Sequence, residues 1–268
     1  MMPDEKLVMF DLDGTVIDDT YSLTSSNMSR AVDSAIKRGW KIGLSSDTPY
    51  EGLRQWRRSL GMNGPIIAER GAVVELESRL DFDTQVADEI SRSRAAIGEH
   101  LSRQAGTLVL EGSAMDVKAM AGTDLPAHRR IIIMNKLSRC SLRFFVRSTD
   151  ENGSVQIDDD TTQATISELE RFYPDMKDAF IDNNPRFGLF IMAERGISKR
   201  KGLETLLNGV VLSRCVMVGN SLADFVGNDL AEQYAVANAD EDYKKLVVVA
   251  KQELTEGCIE ILDNLDKS

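Results

Sequence analysis

Apolar residues gather in short unbroken runs at both ends of the chain, and each run is followed by a polar tip. Leu7-Val8-Met9-Phe10 is too short for a helix and predicts a strand buried on both faces, with Asp11-Leu12-Asp13-Gly14-Thr15 at its end. After an irregular acidic stretch from Val16 to Thr20, Met28, Ala31, Val32, Ala35 and Ile36 recur at helical spacing, and Gly39 stops that helix. Trp40 to Leu44 reads as a second strand that delivers Ser45-Ser46-Asp47-Thr48. Pro49 then opens a helix with Leu53, Trp56 and Leu60 inward and Gly61 closing it. Pro65 to Ala68 is a third strand, followed by a Glu69-Arg70-Gly71 turn and a return strand from Ala72 to Leu76. Alternation of strand, turn and helix predicts a parallel sheet, hence an α/β fold with a doubly wound, mostly parallel, Rossmann-like core.

The texture changes between Asp81 and Ala193, where short strands alternate with turns. Candidate strands are Thr107 to Leu110, Ile131 to Met134, Arg143 to Val146, Val155 to Ile157, Phe180 to Ile181 and Leu189 to Met192. Turn signals fall at Glu151-Asn152-Gly153, Asp158-Asp159-Asp160 and Asn183-Asn184-Pro185. One of at least two helices runs from Thr162 to Tyr173, with Ile166, Leu169 and Phe172 on its buried side. The layout is that of an inserted α+β cap domain at 81–193, between core segments 1–80 and 194–268, with hinges near Leu80 and Arg195. The core pattern then resumes. Ser198 caps a helix from Lys199 to Leu207; Val210 to Leu212 and Cys215 to Val218 are apolar, the latter ending at Gly219-Asn220-Ser221-Leu222-Ala223-Asp224. Tyr234 to Ala237 is a last short strand, and helical segments follow with Val247, Val248 and Ala250, then Ile259, Ile261 and Leu262.

A chain of 268 residues suffices for one large core with an insert. Its net charge of −11 opposes binding to nucleic acid or to an anionic membrane, while leaving room for a small phosphate ester held by a local cation. No signal segment opens the sequence and no apolar stretch is long enough to span a bilayer, so a cytoplasmic protein is expected, as monomer or homodimer. Cys140, Cys215 and Cys258 are too dispersed for a disulfide framework or a zinc cluster, and His100 and His128 offer little histidine chemistry.

The polar tips carry the candidate chemistry. Asp11 and Asp13 repel each other unless a cation or protons compensate, which suits a hard, oxygen-preferring metal such as Mg²⁺. Each tip follows a strand or opens a helix, and all would meet at one edge of the sheet, where open α/β folds keep their ligands.

The run from Leu7 to Thr15, with a hydroxyl tip, an insert, a lysine and an acidic tip in that order, resembles the haloacid dehalogenase superfamily. Placement of the insert narrows the resemblance to members with an α/β type-two cap, the Cof-like sugar-phosphate phosphatases; the run Val236-Ala237-Asn238-Ala239-Asp240, then Lys244-Lys245 and Thr255-Glu256-Gly257, looks like that group's ending. The resemblance implies Mg²⁺-dependent hydrolysis of a small phosphate monoester, a sugar phosphate or a phosphoglycolate-like one, through an aspartyl-phosphate. Asp11 matches the nucleophile and Asp13 the general acid/base. Ser46, with Ser45 as runner-up, matches the hydroxyl that binds a phosphoryl oxygen, and Lys201, before Gly202, the lysine that balances its charge. Asp47 and Arg70 complete the implied substrate-binding set, and Asn220 and Asp224 join Asp11 and Asp13 as implied metal ligands. The cap is implied to close over the site and exclude water.

Four departures stand out, one of them Ala223-Asp224 where the group has an Asn-Asp pair. Ser46-Asp47-Thr48 replaces the group's usual Thr-Gly-Arg, so one cation is missing; Arg70-Gly71 replaces Asn-Gly, and Arg70 either supplies the charge or faces solvent. Asn220 replaces an aspartate, with one less negative charge for the metal. Two rival readings follow: a phosphomutase of the same fold, and a phosphate-ligand-binding protein with weakened turnover.

Overall fold

Leu7, Val8, Met9 and Phe10 all lie in the core, as an apolar run with no polar alternation requires of a strand covered on both sides. The structure, a computed structural model, describes residues 5–76, 79–113, 116, 126, 129–172, 179–184, 188–208 and 212–267. In chain order the first elements are β1 (Glu5–Phe10), α1 (Met28–Lys37), β2 (Trp40–Ser45), α2 (Tyr50–Leu60), β3 (Ile66–Ala68), β4 (Val73–Leu76) and β5 (Arg79–Phe82). Next come α3 (Thr84–Ser102), β6 (Thr107–Gly112), β7 (Arg130–Asn135), β8 (Ser141–Thr149), β9 (Val155–Gln156), α4 (Asp159–Phe172), β10 (Ala179–Asn184) and β11 (Leu189–Glu194). The chain finishes with α5 (Lys199–Leu207), β12 (Leu212–Gly219), β13 (Glu232–Ala235), α6 (Glu241–Lys244), β14 (Val248–Val249) and α7 (Leu254–Asn264). These elements form two units, Met1–Phe82 with Ile197–Ser268, and Asp83–Gly196.

The first unit is an eight-stranded sheet in the order β14-β13-β12-β1-β2-β3-β4-β5. Strands β14 to β3 along this order are parallel, and β4 and β5 return antiparallel. Leu7 and Met9 pack with Leu203 and Leu206 of α5, so by strand alternation Val8 and Phe10 face the opposite layer. β1 lies between β2, which follows it in sequence, and β12, which arrives some two hundred residues later. Successive strands are added on one side of β1 from β2 to β3 and on the other from β12 to β14, and such a switch in strand order opens a crevice at the carboxyl ends of the strands.

Several elements differ from the sequence reading. β5 continues the first unit's sheet to Phe82, so the second unit starts at Asp83 instead of Asp81 and ends at Gly196 instead of Ala193. β12 is one continuous strand from Leu212; Val210 lies outside the described residues. The segment with Val247, Val248 and Ala250 is not helical: α6 stops at Lys244, and Val248–Val249 pairs with β13 as the sheet edge, 60% and 40% exposed. Two β-branched residues fit a pleated edge better than a short helix. Trp56, expected inward, is only partly buried.

The second unit holds a six-stranded sheet in the order β10-β11-β8-β7-β6, with β9 added beside β8. Its helices supply Ile97, Leu101, Ile166 and Leu169, which pack with Ile132, Phe144 and Phe190 of the sheet. The α3 helix is capped by Asp83, whose carboxylate accepts from Gln85 N and Val86 N at 2.8 and 3.2 Å. Phe172, expected to be buried, is 43% exposed and instead stacks on His100 at the end of α4, ring centroids 3.7 Å apart. Asn183 and Asn184, expected in a turn, belong to β10; Pro185, Tyr173 and His128 lie outside the described residues. Among the described residues no helix is long and apolar enough to cross a membrane.

Candidate active site

The carboxyl ends of β1, β2 and β12 bring their tips together with the start of α5. Asp11 leaves β1 with its N–H donating to Val218 O of β12 at 2.8 Å, which fixes the first tip against the last strand. Gly14 takes a left-handed turn, φ +79°, where a Cβ would collide with the Asn220 amide. This close approach lets Thr15 reach back: its hydroxyl lies 3.1 Å from Asp11 Oδ2 and 3.3 Å from Asn220 Oδ1. Asn238 braces the turn, donating from Nδ2 to Gly14 O at 2.8 Å and accepting from Leu254 N at 2.9 Å.

The cation of the site is Lys199, not Lys201. Lys199 is 3% exposed and donates from Nζ to Asp11 Oδ1 at 2.6 Å and to Asp224 Oδ1 at 2.5 Å. Ser198 caps α5, its hydroxyl accepting from Lys201 N at 3.2 Å, so Lys199 opens the helix. Two residues along a helix turn it by about 200°, and Lys201 accordingly faces solvent. The sequence held the signal: Lys199, Leu203 and Leu206 stand at i, i+4 and i+7, the spacing of one buried face, and all three are buried. Matching the lysine next to Gly202 overlooked that periodicity.

Asp224 is buried, and both its oxygens are engaged. Oδ1 takes Lys199, while Oδ2 accepts from Asn220 N at 2.8 Å, Ser221 N at 2.9 Å and Ser221 Oγ at 3.3 Å. It therefore anchors the loop and the lysine from behind. Among the described residues no three His, Cys, Asp or Glu side chains form a metal cluster, which departs from the expected ligand set of Asp11, Asp13, Asn220 and Asp224. Asp11 is engaged as well, by Lys199 at Oδ1 and Thr15 at Oδ2, so the further oxygen donors at this edge are Asp13 and the Asn220 amide.

At the end of β2, Ser46 Oγ lies 3.4 Å from Asp13 Oδ2, and Thr48 Oγ1 donates to the same oxygen at 2.8 Å. Ser45 is fully buried, and among the described residues its hydroxyl has no hydrogen-bond partner. Arg70 pairs with Asp47 at 3.3 Å, its side chain mostly buried, so it does not simply face solvent. Both Glu69 and Arg70 sit in the left-handed region, φ 50° and 64°, a strained conformation for two non-glycine residues in succession. The structure thus gathers Asp11, Asp13, Ser46, Asn220 and Asp224 directly, places Asp47 and Arg70 at the tip beside them, and leaves Lys201 outside. Thr48 and Lys199 are the members that sequence reading missed.

Electrostatics reflect this crowding. Burial, with the charges of Asp224 and Asp13, pushes the Asp11 carboxyl up to about 8 against the pull of Lys199. Burial alone would lower Lys199, but Asp11, Asp224 and Asp47 outweigh it and hold the ammonium above its ordinary range. Two carboxylates, Asp11 and Asp224, pair directly with one ammonium. An all-oxygen donor set of carboxylates and one amide suits by its chemistry a small hard divalent cation, which keeps several waters and takes the rest of its ligands from substrate.

Comparison with known proteins places this geometry. A family model described as haloacid dehalogenase-like hydrolase matches residues 8–253. A phosphoglycolate phosphatase from Sulfolobus acidocaldarius is 35% identical over 92 residues, a match that spans 33% of this chain and only 38% of that enzyme. Among solved structures, a haloacid dehalogenase-like hydrolase from Bacteroides thetaiotaomicron aligns with TM-score 0.68 and 17% identity over 97% of this chain and 99% of its own. A subclass IIB sugar phosphatase aligns with TM-score 0.60 and 16% identity, covering 98% of each chain. At these identities the structural likenesses show the fold.

Proposed function

The chain belongs to the haloacid dehalogenase-like hydrolases, and on that footing we propose that it is a phosphatase acting on a small phosphate monoester, with Asp11 as the covalent acceptor. The observation that carries this reading is the buried Lys199 ammonium held between Asp11 and Asp224 at the carboxyl edge of the sheet. A phosphoryl group in flight needs positioning and charge neutralisation, and such a lysine supplies a fixed, water-excluded part of both. The short match to a phosphoglycolate phosphatase and the fold shared with a sugar phosphatase support a small organic phosphate as substrate.

In this reading an Asp11 carboxylate oxygen forms a bond to phosphorus as the ester P–O bond breaks. The leaving oxygen keeps the electron pair, takes a proton from the Asp13 carboxyl and departs as the alcohol. Asp13, now a carboxylate, takes a proton from water as that water attacks the phosphorus, and the bond to Asp11 breaks to release inorganic phosphate. Lys199 holds Asp11 in place and offsets its charge, Asp224 holds Lys199, and Ser46, Asp47 and Arg70 border the position of the phosphoryl oxygens. Asp11 and Asn220 would hold Mg²⁺, with Asp13 beside them as the proton carrier; when bound, the ion supplies positive charge beyond that of Lys199, which the phosphoryl group and the carboxylates require.

The test is release of inorganic phosphate from a panel of sugar phosphates, phosphoglycolate and simple alkyl and aryl phosphates, with and without Mg²⁺. Turnover of at least one ester, with phosphate trapped on Asp11 after acid quench, is expected. No release from any of them overturns the reading. Asn220, with its amide in place of a carboxylate, favours one alternative, a phosphate-binding protein of weak turnover; ester binding without phosphate release would establish it.

A further inference from the structure

The second tip of the sheet is built around Asp13. Thr48 Oγ1 donates to Asp13 Oδ2 at 2.8 Å, the shortest hydrogen bond that this carboxylate makes among the described residues. The same residue's N–H donates to Ser46 Oγ at 3.2 Å, which turns the Ser46 hydroxyl proton outward, toward Asp13 Oδ2 at 3.4 Å. Both hydroxyls therefore converge on one oxygen of Asp13, and both are set by Thr48.

Thr48 is itself immobilised. Pro49 follows it, which disfavours helical backbone at Thr48, and α2 begins immediately after. Its carbonyl accepts from Glu69 N at 3.3 Å, within the strained turn after β3. Its methyl group packs over Gly52, where a Cβ would sit 3.1 Å away, so the side chain cannot turn its hydroxyl aside without losing that seat. A β-branched residue locked at χ1 by packing is a stiff hydrogen-bond donor.

We propose that Thr48 is the positioning residue of the general acid: by holding Asp13 Oδ2 it fixes the carboxyl plane and leaves Oδ1 to carry the proton to the leaving oxygen. The proposal rests on the phosphatase reading. It concerns the step in which the Asp11–phosphorus bond forms, the ester P–O bond breaks, and the Asp13 proton passes to the departing oxygen. It also explains why a threonine is useful at this position. A residue without a hydroxyl would leave the acid free to rotate, and proton transfer falls steeply with small misplacement.

Thr48→Val keeps the methyl packing and removes only the hydroxyl; Thr48→Ser keeps the hydroxyl. The quantity to measure is kcat/KM, which reports events up to loss of the alcohol, for the wild type and both variants on two probes. One probe is the alkyl phosphate turned over fastest in the panel, whose poor leaving group needs the proton. The other is p-nitrophenyl phosphate, whose leaving group does not. For Thr48→Val a loss of about 10- to 100-fold is expected on the alkyl ester, part of the 10²–10⁴ typical of general acid catalysis. The loss on the aryl ester should be under about threefold, with kcat rather than KM carrying the alkyl effect and Thr48→Ser restoring most of it. Equal losses on both esters, or none on either, overturn the assignment while leaving the phosphatase reading intact. A wild type inactive on every ester overturns the phosphatase reading, and this proposal with it.

Discussion

The two sheets of this protein are built by opposite rules. In the first unit parallel strands need long crossovers, so β1, β2 and β12 are neighbours although their tips, Asp11, Ser46 and Asn220, are far apart in sequence. In the second unit β7, β8 and β11 pair antiparallel, and its charged side chains pair with one another, as Arg130 does with Glu168 at 2.6 Å and Glu168 with His100 at 2.9 Å. Lys199, Asp11 and Asp224 of the first unit are buried together, whereas the side chains of Arg130, Glu168 and His100 keep about a fifth of their surface exposed. The lesson is that a crossover topology makes a site by assembling remote residues at one edge, while a meander mostly makes a scaffold.

The comparison is most easily broken at Asp11. Asp11→Asn preserves shape and removes the nucleophile, so turnover of any substrate should fall by several orders of magnitude, with far-ultraviolet circular dichroism unchanged. Normal phosphate release would move the chemistry away from β1. Next in size is the pair of lysines on α5. Lys199→Ala should reduce kcat by about 10²- to 10³-fold, the scale of one lost charge-stabilising donor, whereas Lys201→Ala should leave it within about twofold. A reversed order would mean that α5 is rotated relative to the arrangement described.

Phe190→Ala probes the other sheet. Phe190 is fully buried and stacks on Phe144 with ring centroids 4.7 Å apart, so its loss should destabilise by about 3–5 kcal/mol. Thermal unfolding followed by calorimetry should show the shift, while Mg²⁺ affinity at the first unit stays as it was. A parallel fall in metal affinity would show that the scaffold and the site are energetically coupled. The smallest change is Asn220→Asp, which adds one negative charge of nearly the same size beside Thr15 and Asp11. Attraction to a divalent cation should rise by about 1–4 kcal/mol, according to burial. Isothermal titration with Mg²⁺ measures this directly, and unchanged or weaker affinity would remove Asn220 from the metal's surroundings.

Much of this was readable from the chain. The strand at Leu7 to Phe10, the tips behind β1, β2 and β12, and the capped helix at Ser198 follow from apolar runs, glycines and a cap that each state their role locally. What was not readable had competing local signals or none. The Lys199-Arg200-Lys201 run offers three cations, and only the positions of Leu203 and Leu206 say which one turns inward. Thr48 carries no signal of its own, because its role depends on how far Asp13 lies across the sheet. α3 was not singled out because its apolar residues are sparse and only Ile97 and Leu101 are buried. Val248 and Val249 suit either structure, and their pairing with β13 decides it.

The central position of β1 also governs how the protein comes into being on the ribosome. β1 can pair with β2 as soon as Ser45 has emerged, but its other edge waits for β12, from Leu212 onward. During that interval an apolar strand presents a row of unpaired backbone groups, the form most open to pairing with other chains. The second unit is synthesised inside the same interval, so its sheet can be complete before the first sheet closes. On the proposed mechanism catalytic competence is therefore among the last properties acquired: Asp11 and Asp13 are made early and wait for Lys199 and Asp224.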